Sequence, residues 1–564
     1  MQESEYWRRF YQKRLSRRTA LKAGATGLGA AALALAGCAG GSNNQSSGGG
    51  GNGAVDAFLT PAAPEGQPVY GGHQVLPWNS AFGGLDVQES VDWYGSAMFH
   101  GYLHDINLLD NRKVHLQFAD SLEQPDHVTY VWKLKQGVKF QNVDPMNGRE
   151  VTADDVVYSY TRRRDDPKSQ NDKQFLRDYV DHFEAADKYT FRLVTKAPYS
   201  PALDEMGNSS YAIVPHDAVE KWGDLMQHGV GMGPFIAQDF SRGEKLTFVK
   251  NPDFYMEGLP YVDSGEVLII TDDSTMNAAF KNGKLDSYWG QPNRPKVDDW
   301  KNIKGIDVRT GPNYWHRAVM MKVDEAPFND VRVRQAVDLT IDRQDLIDKL
   351  AFGYGKYAGP CVPDLTPFGL PQDELKAFYK VDVEKAKQLL ADAGYPNGLD
   401  VELKVENVSD LAKMAQVVAQ QLSKANIRVT ITLQELGLFL AQTMYARNFK
   451  MMLYYNLPYE EPDRPLCQWF SKGQAGFSFS GYSDATADDW VNKERAEFDP
   501  DARTQIILDA QRYFLTQYGP QINGMTDVGY GASWSWTHGE DENIGRGTGW
   551  TNLNCYRWLT EKKV

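Results

Sequence analysis

The stretch Leu399-Asp400-Val401-Glu402-Leu403-Lys404-Val405, followed by residues 409–424 and by Ile427-Arg428-Val429-Thr430-Ile431-Thr432-Leu433, decides the fold class. The outer two segments read as strands. The middle one reads as a helix, with Leu411, Val418 and Leu422 aligned on one side. Strand, helix and strand at this spacing make a βαβ-sized unit, so at least one lobe is expected to be α/β.

Upstream, three helices are marked by their first residues. Asp330 opens one that carries Val333, Ala336, Val337 and Ile341 at helical spacing. Asp342 caps the next, with Leu346, Ile347 and Leu350 facing inward before Gly353. Asp382 starts a third, with Ala386, Leu389, Leu390 and Ala393, and Gly394 stops it. Nearer the N terminus, Val128, Tyr130, Trp132 and Leu134 alternate along a strand. Gly137 turns the chain so that Val138-Lys139-Phe140 pairs back on it. Thr152-Ala153-Asp154-Asp155 is a capping-box-like helix start, so both aspartates read as cap residues rather than an acid/base pair. Residues 190–194 form another strand. No internal repeat occurs.

The first forty residues bear on location. Arg17-Arg18 precede an apolar run from Ala23 to Ala36, and Leu35-Ala36-Gly37-Cys38 follows. This order is that of a twin-arginine export signal ending in a lipobox, with Cys38 as the lipid-bearing residue and residues 1–37 removed. The apolar run falls short of the ~20 residues that cross a bilayer. Ala20 stands where an aromatic residue or leucine is usual after Arg-Arg-x, which leaves general secretion open as the route. Residues 40–53 are Gly, Ser, Asn, Gln and nothing apolar until Ala54, so residues 38–65 read as a flexible tether. The chain is thus expected outside the cytoplasm, anchored to the membrane by lipid.

What remains, roughly 500 residues, exceeds a single core and implies two or three lobes. Mean hydropathy is −0.52, and no later run is long enough for a membrane helix. Residues 1–37 hold seven Lys/Arg and two Asp/Glu, so their removal takes the net charge from −14 to −19. That balance argues against nucleic acid or an anionic membrane as a partner. Of four cysteines, Cys38, Cys361, Cys467 and Cys555, the last three are left after lipidation, which permits one disulfide at most. No CxxC motif, Cys/His cluster, GxxxxGK[ST] loop, GxSxG or HExxH is present, so neither a metal site nor a cofactor or catalytic motif is indicated.

Eight segments in order resemble the family 5 extracellular solute-binding proteins, the large substrate-binding lipoproteins of ATP-binding cassette importers for peptides, nickel and some oligosaccharides. They are Phe118-Ala119-Asp120-Ser121-Leu122, Trp132 to Phe140, Val151 to Val156, Gly231-Met232-Gly233-Pro234-Phe235, Asn251 to Tyr255, Asn282 to Asp286, Ala326 to Ala336 with Ile341-Asp342-Arg343, and Glu384 to Tyr395. The resemblance implies a large bilobal α/β fold of the class II periplasmic-binding type with an additional inserted lobe. Domain I would take residues 66–106, 196–290 and 510–564, domain II residues 107–195, and domain III residues 291–509. It implies a binding protein and not an enzyme, without cofactor, monomeric, delivering a peptide or other small solute to permease subunits driven by a separate ATPase. Arg332 and Arg334 beside Asp330 read as braces within the lobe.

Receptors of this kind bind through backbone groups, water and aromatic plates, and this chain has 14 Trp and 29 Tyr. Three clusters are candidates: Trp93-Tyr94, Tyr314-Trp315, and Tyr454-Tyr455-Asn456 with Tyr459. Each serves equally as core. In peptide receptors that resemble this chain, an aspartate in the third segment pairs with the peptide's α-amino group. Pro458 stands at that position here, so Glu460, Glu461 or Asp463 would have to supply the charge. Otherwise oligosaccharides and other neutral solutes gain weight, and a nickel chelate loses little. A secreted hydrolase with paired carboxylates is the other class considered.

Overall fold

A computed structural model describes residues 67–79, 83–90, 98–107, 113–169, 173–289, 292–361, 367–456, 461–471, 479–539 and 557–561. Arg17, Arg18, Cys38, Trp93, Tyr94, Pro458, Tyr459, Glu460 and Cys555 lie outside the described residues.

Three larger sheets organise the chain, and the fold is α/β. The first has four strands in the order His73–Trp78, Ser264–Ile269, Lys245–Lys250, Phe235–Ser241. The second is antiparallel, in the order Ala119–Glu123, Thr129–Leu134, Thr190–Thr195, Val180–Asp187, with helix Ala153–Asp165 packed on it. The third runs Ser287–Tyr288, Gln521–Trp534, Ile306–Met321, Met451–Asn456, Leu399–Glu406, Ile427–Gln434, with Lys356–Tyr357 beside Gln521–Trp534. Each sheet has its own apolar core. Leu76, Phe248 and Trp300 belong to the first, Tyr130, Trp132 and Phe191 to the second, and Leu403, Leu422 and Met451 to the third.

The two longest strands thread two of these cores. Ile306 and Trp534, one from each, lie in the first core, and Val319, Met321, Ile522 and Met525 lie in the third. The βαβ unit forms as its pattern requires. Leu399–Glu406 and Ile427–Gln434 pair in parallel, joined by helix Ser409–Ser423, whose Leu411, Met414, Ala415, Val418 and Leu422 are buried. Asp330, Asp342 and Asp382 cap helices Val331–Thr340, Arg343–Leu350 and Val383–Asp392, each accepting a backbone N–H with its side chain. Arg334 donates to the carbonyls of Phe328 and Tyr518, and Arg332 pairs with Asp330, so both brace the lobe. Asp155 accepts the Thr152 N–H at 2.9 Å and pairs with Arg149 at 2.8 Å, which is structural work.

One pairing differs from expectation. Val138-Lys139-Phe140 does not return along Thr129–Leu134. Phe140 and Val138 bond instead to Arg149 and Val151, because the far side of Thr129–Leu134 is already taken by Thr190–Thr195 and its near side by Ala119–Glu123. Cys361 and Cys467 are both free thiols and both buried.

The Gly231-Met232-Gly233-Pro234 segment owes its glycines to close approach. A Cβ on Gly233 would stand 2.5 Å from the Phe99 carbonyl carbon and 2.6 Å from the Met98 oxygen, and backbone there has no room to yield. Gly233→Ala should therefore cost about 1–3 kcal/mol, seen as a lowered thermal midpoint, whereas Gly243→Ala, where a Cβ meets nothing, should lose only its positive-φ preference.

Candidate ligand-binding site

Parallel strands Leu399–Glu406, Ile427–Gln434 and Met451–Asn456 end along one edge of the third sheet. The chain leaves Leu399–Glu406 on one side toward Ile427–Gln434 and returns on the other as Met451–Asn456. A reversal of this kind leaves a crevice beyond the carboxyl ends, where α/β sheets bind ligands. On the neighbouring antiparallel strand, His316 faces Asn456 and Arg317 faces Tyr455. Tyr314 and Trp315 are the next residues outward on that strand. The sheet thus brings the backbones of two expected aromatic clusters together. Against Gln521–Trp534 the register slips between Pro312 and His316, so three residues, Asn313 to Trp315, stand opposite Asp527 alone. Bulges of this sort re-aim side chains at sheet edges.

Tyr454 and Tyr455 diverge because strand side chains alternate. Tyr454 is buried among Ala318, Met320, Phe439 and Met452, and its hydroxyl donates to Gln468 at 2.8 Å. Tyr455 turns to the other face. Its hydroxyl donates to Asp410, in the first turn of helix Ser409–Ser423, and the Arg317 guanidinium lies 5.7 Å from its ring. Arg317, only 5% exposed, reaches Asp410 at 2.8 Å and Asp527 at 2.6 Å. Burial works against its charge, but Asp527, Tyr455 and Asp410 outweigh that and raise its pKa. Burial, with Asp410 beside it, also pushes the Tyr455 phenol up, so it remains a donor.

Glu406 ends its strand beside this cluster. Burial, then the like charges of Asp410 and Glu435, push its carboxyl up to about 7. His316 is held neutral by burial, its pKa lowered to about 4. Among the described residues the edge therefore sets Glu406, Asp410, Glu435 and Asp527 against the Arg317 guanidinium. Among the described residues no group of His, Cys, Asp and Glu is placed to hold a metal ion.

Of the acids expected to meet a ligand ammonium, Glu460 lies outside the described residues, and the other two are engaged elsewhere. Glu461 pairs with Arg503, and Asp463 with Arg495, all four buried. Glu406, Asp410, Arg317 and Asp527 were not singled out by sequence. Arg317 lies 93 residues from Asp410 and 210 from Asp527, and only its place after Tyr314-Trp315-His316 hinted at it.

The sequence pattern of the bacterial extracellular solute-binding proteins, family 5 middle, matches residues 113–477. This chain belongs to that family. It is accordingly a non-enzymatic substrate-binding protein of an ABC importer for peptides or related solutes, extracytoplasmic, and no helix among its described residues is long and apolar enough to cross a membrane. It is 27% identical over 453 residues to the glutathione-binding protein GsiB of Escherichia coli O157:H7, covering 78% of this chain and 86% of that one. By structure it is similar to the periplasmic binding protein DppA of Helicobacter pylori in complex with peptide STSA, with TM-score 0.76, 23% identity, and 87% and 99% of the two chains covered. The binding protein AgaA of A. tumefaciens R10 in complex with agropinic acid gives the same values. These likenesses show the bilobal class II periplasmic-binding fold.

Glu406 holds a proton in the folded chain that it loses when unfolded. Its stabilising share is complete below pH 4.5 and gone once pH passes about 7. Glu406→Gln cannot ionise, so its thermal midpoint relative to the parent should climb between those values and then level. A difference that stays flat with pH contradicts the assignment.

Proposed function

We propose that this protein is a lipid-anchored peptide receptor, tethered through Cys38 after export directed by Arg17 and Arg18, which captures a short peptide between two lobes and presents it to a permease with its own ATPase. It works as a monomer. Lobe I takes residues 66–106, 196–290 and 510–564, lobe III residues 291–509, and residues 107–195 form the inserted lobe. The two long strands Ile306–Met321 and Gln521–Trp534 serve as the hinge.

The observation that carries the peptide reading is the charge at the carboxyl edge. Glu406 is acidic, half-titrated near pH 7 and beside Asp410, so a cation placed there would relieve like-charge repulsion. A peptide's α-amino group is such a cation, and Glu406 and Asp410 offer the charge that Pro458 cannot. Tyr455, Asn456, Tyr314 and Trp315 flank the same crevice as backbone and aromatic contacts. Trp93, Tyr94, Tyr459 and Glu460, outside the described residues, complete the proposed ligand set, whereas Tyr454 and Glu461 support it from the core. The relative that binds glutathione, itself a peptide, agrees with this class.

Native mass spectrometry of protein purified without denaturation should show a ladder of peptide-mass adducts, displaced by added dipeptides. Hexose-spaced adducts or a single metal mass would replace the peptide with an oligosaccharide or nickel chelate. Cys38→Ala should move the protein from the membrane fraction to the soluble one, and retention in the membrane would reject the lipid anchor.

A further inference from the structure

Away from the carboxyl edge, the second and third cores meet through a polar interface that one buried ion pair and several hydrogen bonds cross. Arg464 forms a two-pronged pair with Glu205, one bond at 2.8 Å, and both side chains are buried. The Tyr199 hydroxyl donates to Asp463 at 2.8 Å. Ser200 donates its N–H to the Arg495 carbonyl at 2.8 Å and its hydroxyl to the Glu494 carbonyl at 3.1 Å. Tyr199 packs in the second core, whereas Leu466, Cys467 and Val491, which flank the partners of these bonds, pack in the third. Phe498 stacks on His127 at 4.2 Å, and the Arg495 guanidinium stacks on Tyr179 and Tyr199.

An interface of this composition separates readily. Apolar surface is lost to water at full cost, but the parted halves of a buried ion pair recover their hydration, which nearly offsets the attraction given up.

The charge of the cluster is uneven. Among the described residues, carboxyls Glu205, Glu461, Asp463 and Glu494 face guanidiniums Arg464, Arg495 and Arg503. Arg503 binds Glu494 through Oε2 at 2.7 Å. Glu494 Oε1 is sealed from solvent and accepts no hydrogen bond, and the group beside it is another carboxylate, Asp463. A bond between them exists only if Glu494 carries a proton. Burial pushes the Glu494 carboxyl well above the usual range, with Arg503 opposing and Asp463 and Glu461 adding to the rise. Asp463 stays below its usual range despite burial, because Arg495 faces it. The other titratable groups here, Tyr179, Tyr199, Cys361 and Cys467, are all pushed up by burial and stay neutral.

We propose that this contact is the latch on which the lobes close, and that each closure takes one proton from solvent onto Glu494 Oε1, shared with Asp463, and returns it on opening. The proposal rests on the two-lobed closure put forward above. Opening removes Tyr199, Ser200 and Glu205, admits water to Glu494 and lets its proton go. Acid therefore favours the closed form, up to tenfold per pH unit for one linked proton.

The test is the distance between spin labels on Gln136→Cys and Asn492→Cys, followed from pH 8 to pH 5. The closed-to-open ratio should rise by up to tenfold per unit as pH falls. Glu494→Gln, which mimics the protonated acid, should stay as closed as the parent at pH 5 and lose the pH dependence. Tyr199→Phe, a milder change that keeps the test open should Glu494→Gln not fold, should favour opening several-fold at every pH and keep the slope. Two distances in a pH-independent ratio, or a Glu494→Gln protein that still titrates, overturn the latch alone. A single distance under all conditions overturns it together with the closure on which it rests.

Discussion

Ile306–Met321 and Gln521–Trp534 run antiparallel for most of their length, and residues at opposite ends of each strand are buried in different cores. Backbone hydrogen bonds along this pair fix the register in which the first and third cores are joined, since neither strand can slip without turning its apolar residues outward. The carboxyl edge inherits its geometry from that constraint. Arg317 sits where Ile306–Met321 passes Met451–Asn456, and Asp527 reaches it from the opposite neighbour. The guanidinium then ties both strands to the first turn of helix Ser409–Ser423 through Asp410. The bulge at Asn313 to Trp315 interrupts the pair beside the carboxyl edge, and a second register shift follows between Arg317 and Ala318.

Much of this architecture was legible because it is local. The caps at Asp330, Asp342 and Asp382 are decided within three or four residues, and so is the parallel unit around Leu399 and Ile427, where the alternation of strand and helix leaves little choice. The glycines at 231 and 233 could be recognised as a pattern, but their reason could not. It lies in the backbone of Phe99, more than a hundred residues away in sequence. Val138-Lys139-Phe140 illustrates the same limit, since a strand's partner depends on which edges others have already occupied.

The site was legible only in its aromatic residues. Tyr455 stood out through its neighbours, but a period of two residues separates it from Tyr454, and only pairing reveals which of them faces the crevice. Isolated charges such as Glu406, Asp410 and Asp527 look like any solvated residue until the sheet gathers them. Glu461 and Asp463 show the converse. They sit near the segment where a ligand acid is expected, yet two arginines from the helices after them, Arg495 and Arg503, claim both.

The buried thiols carry a consequence for how the chain must mature. Cys361 and Cys467 lie within the third core, with Arg495 in contact with the Cys467 sulfur at 3.0 Å. Burial keeps both protonated and therefore unreactive. That protection does not exist before the core forms, and this family works in an extracytoplasmic setting, where exposed thiols are prone to oxidation. With three cysteines beyond residue 38, any one crosslink among them leaves one unpaired. A core formed before the chain meets oxidant keeps both thiols out of reach, so folding ahead of export spares the receptor this hazard.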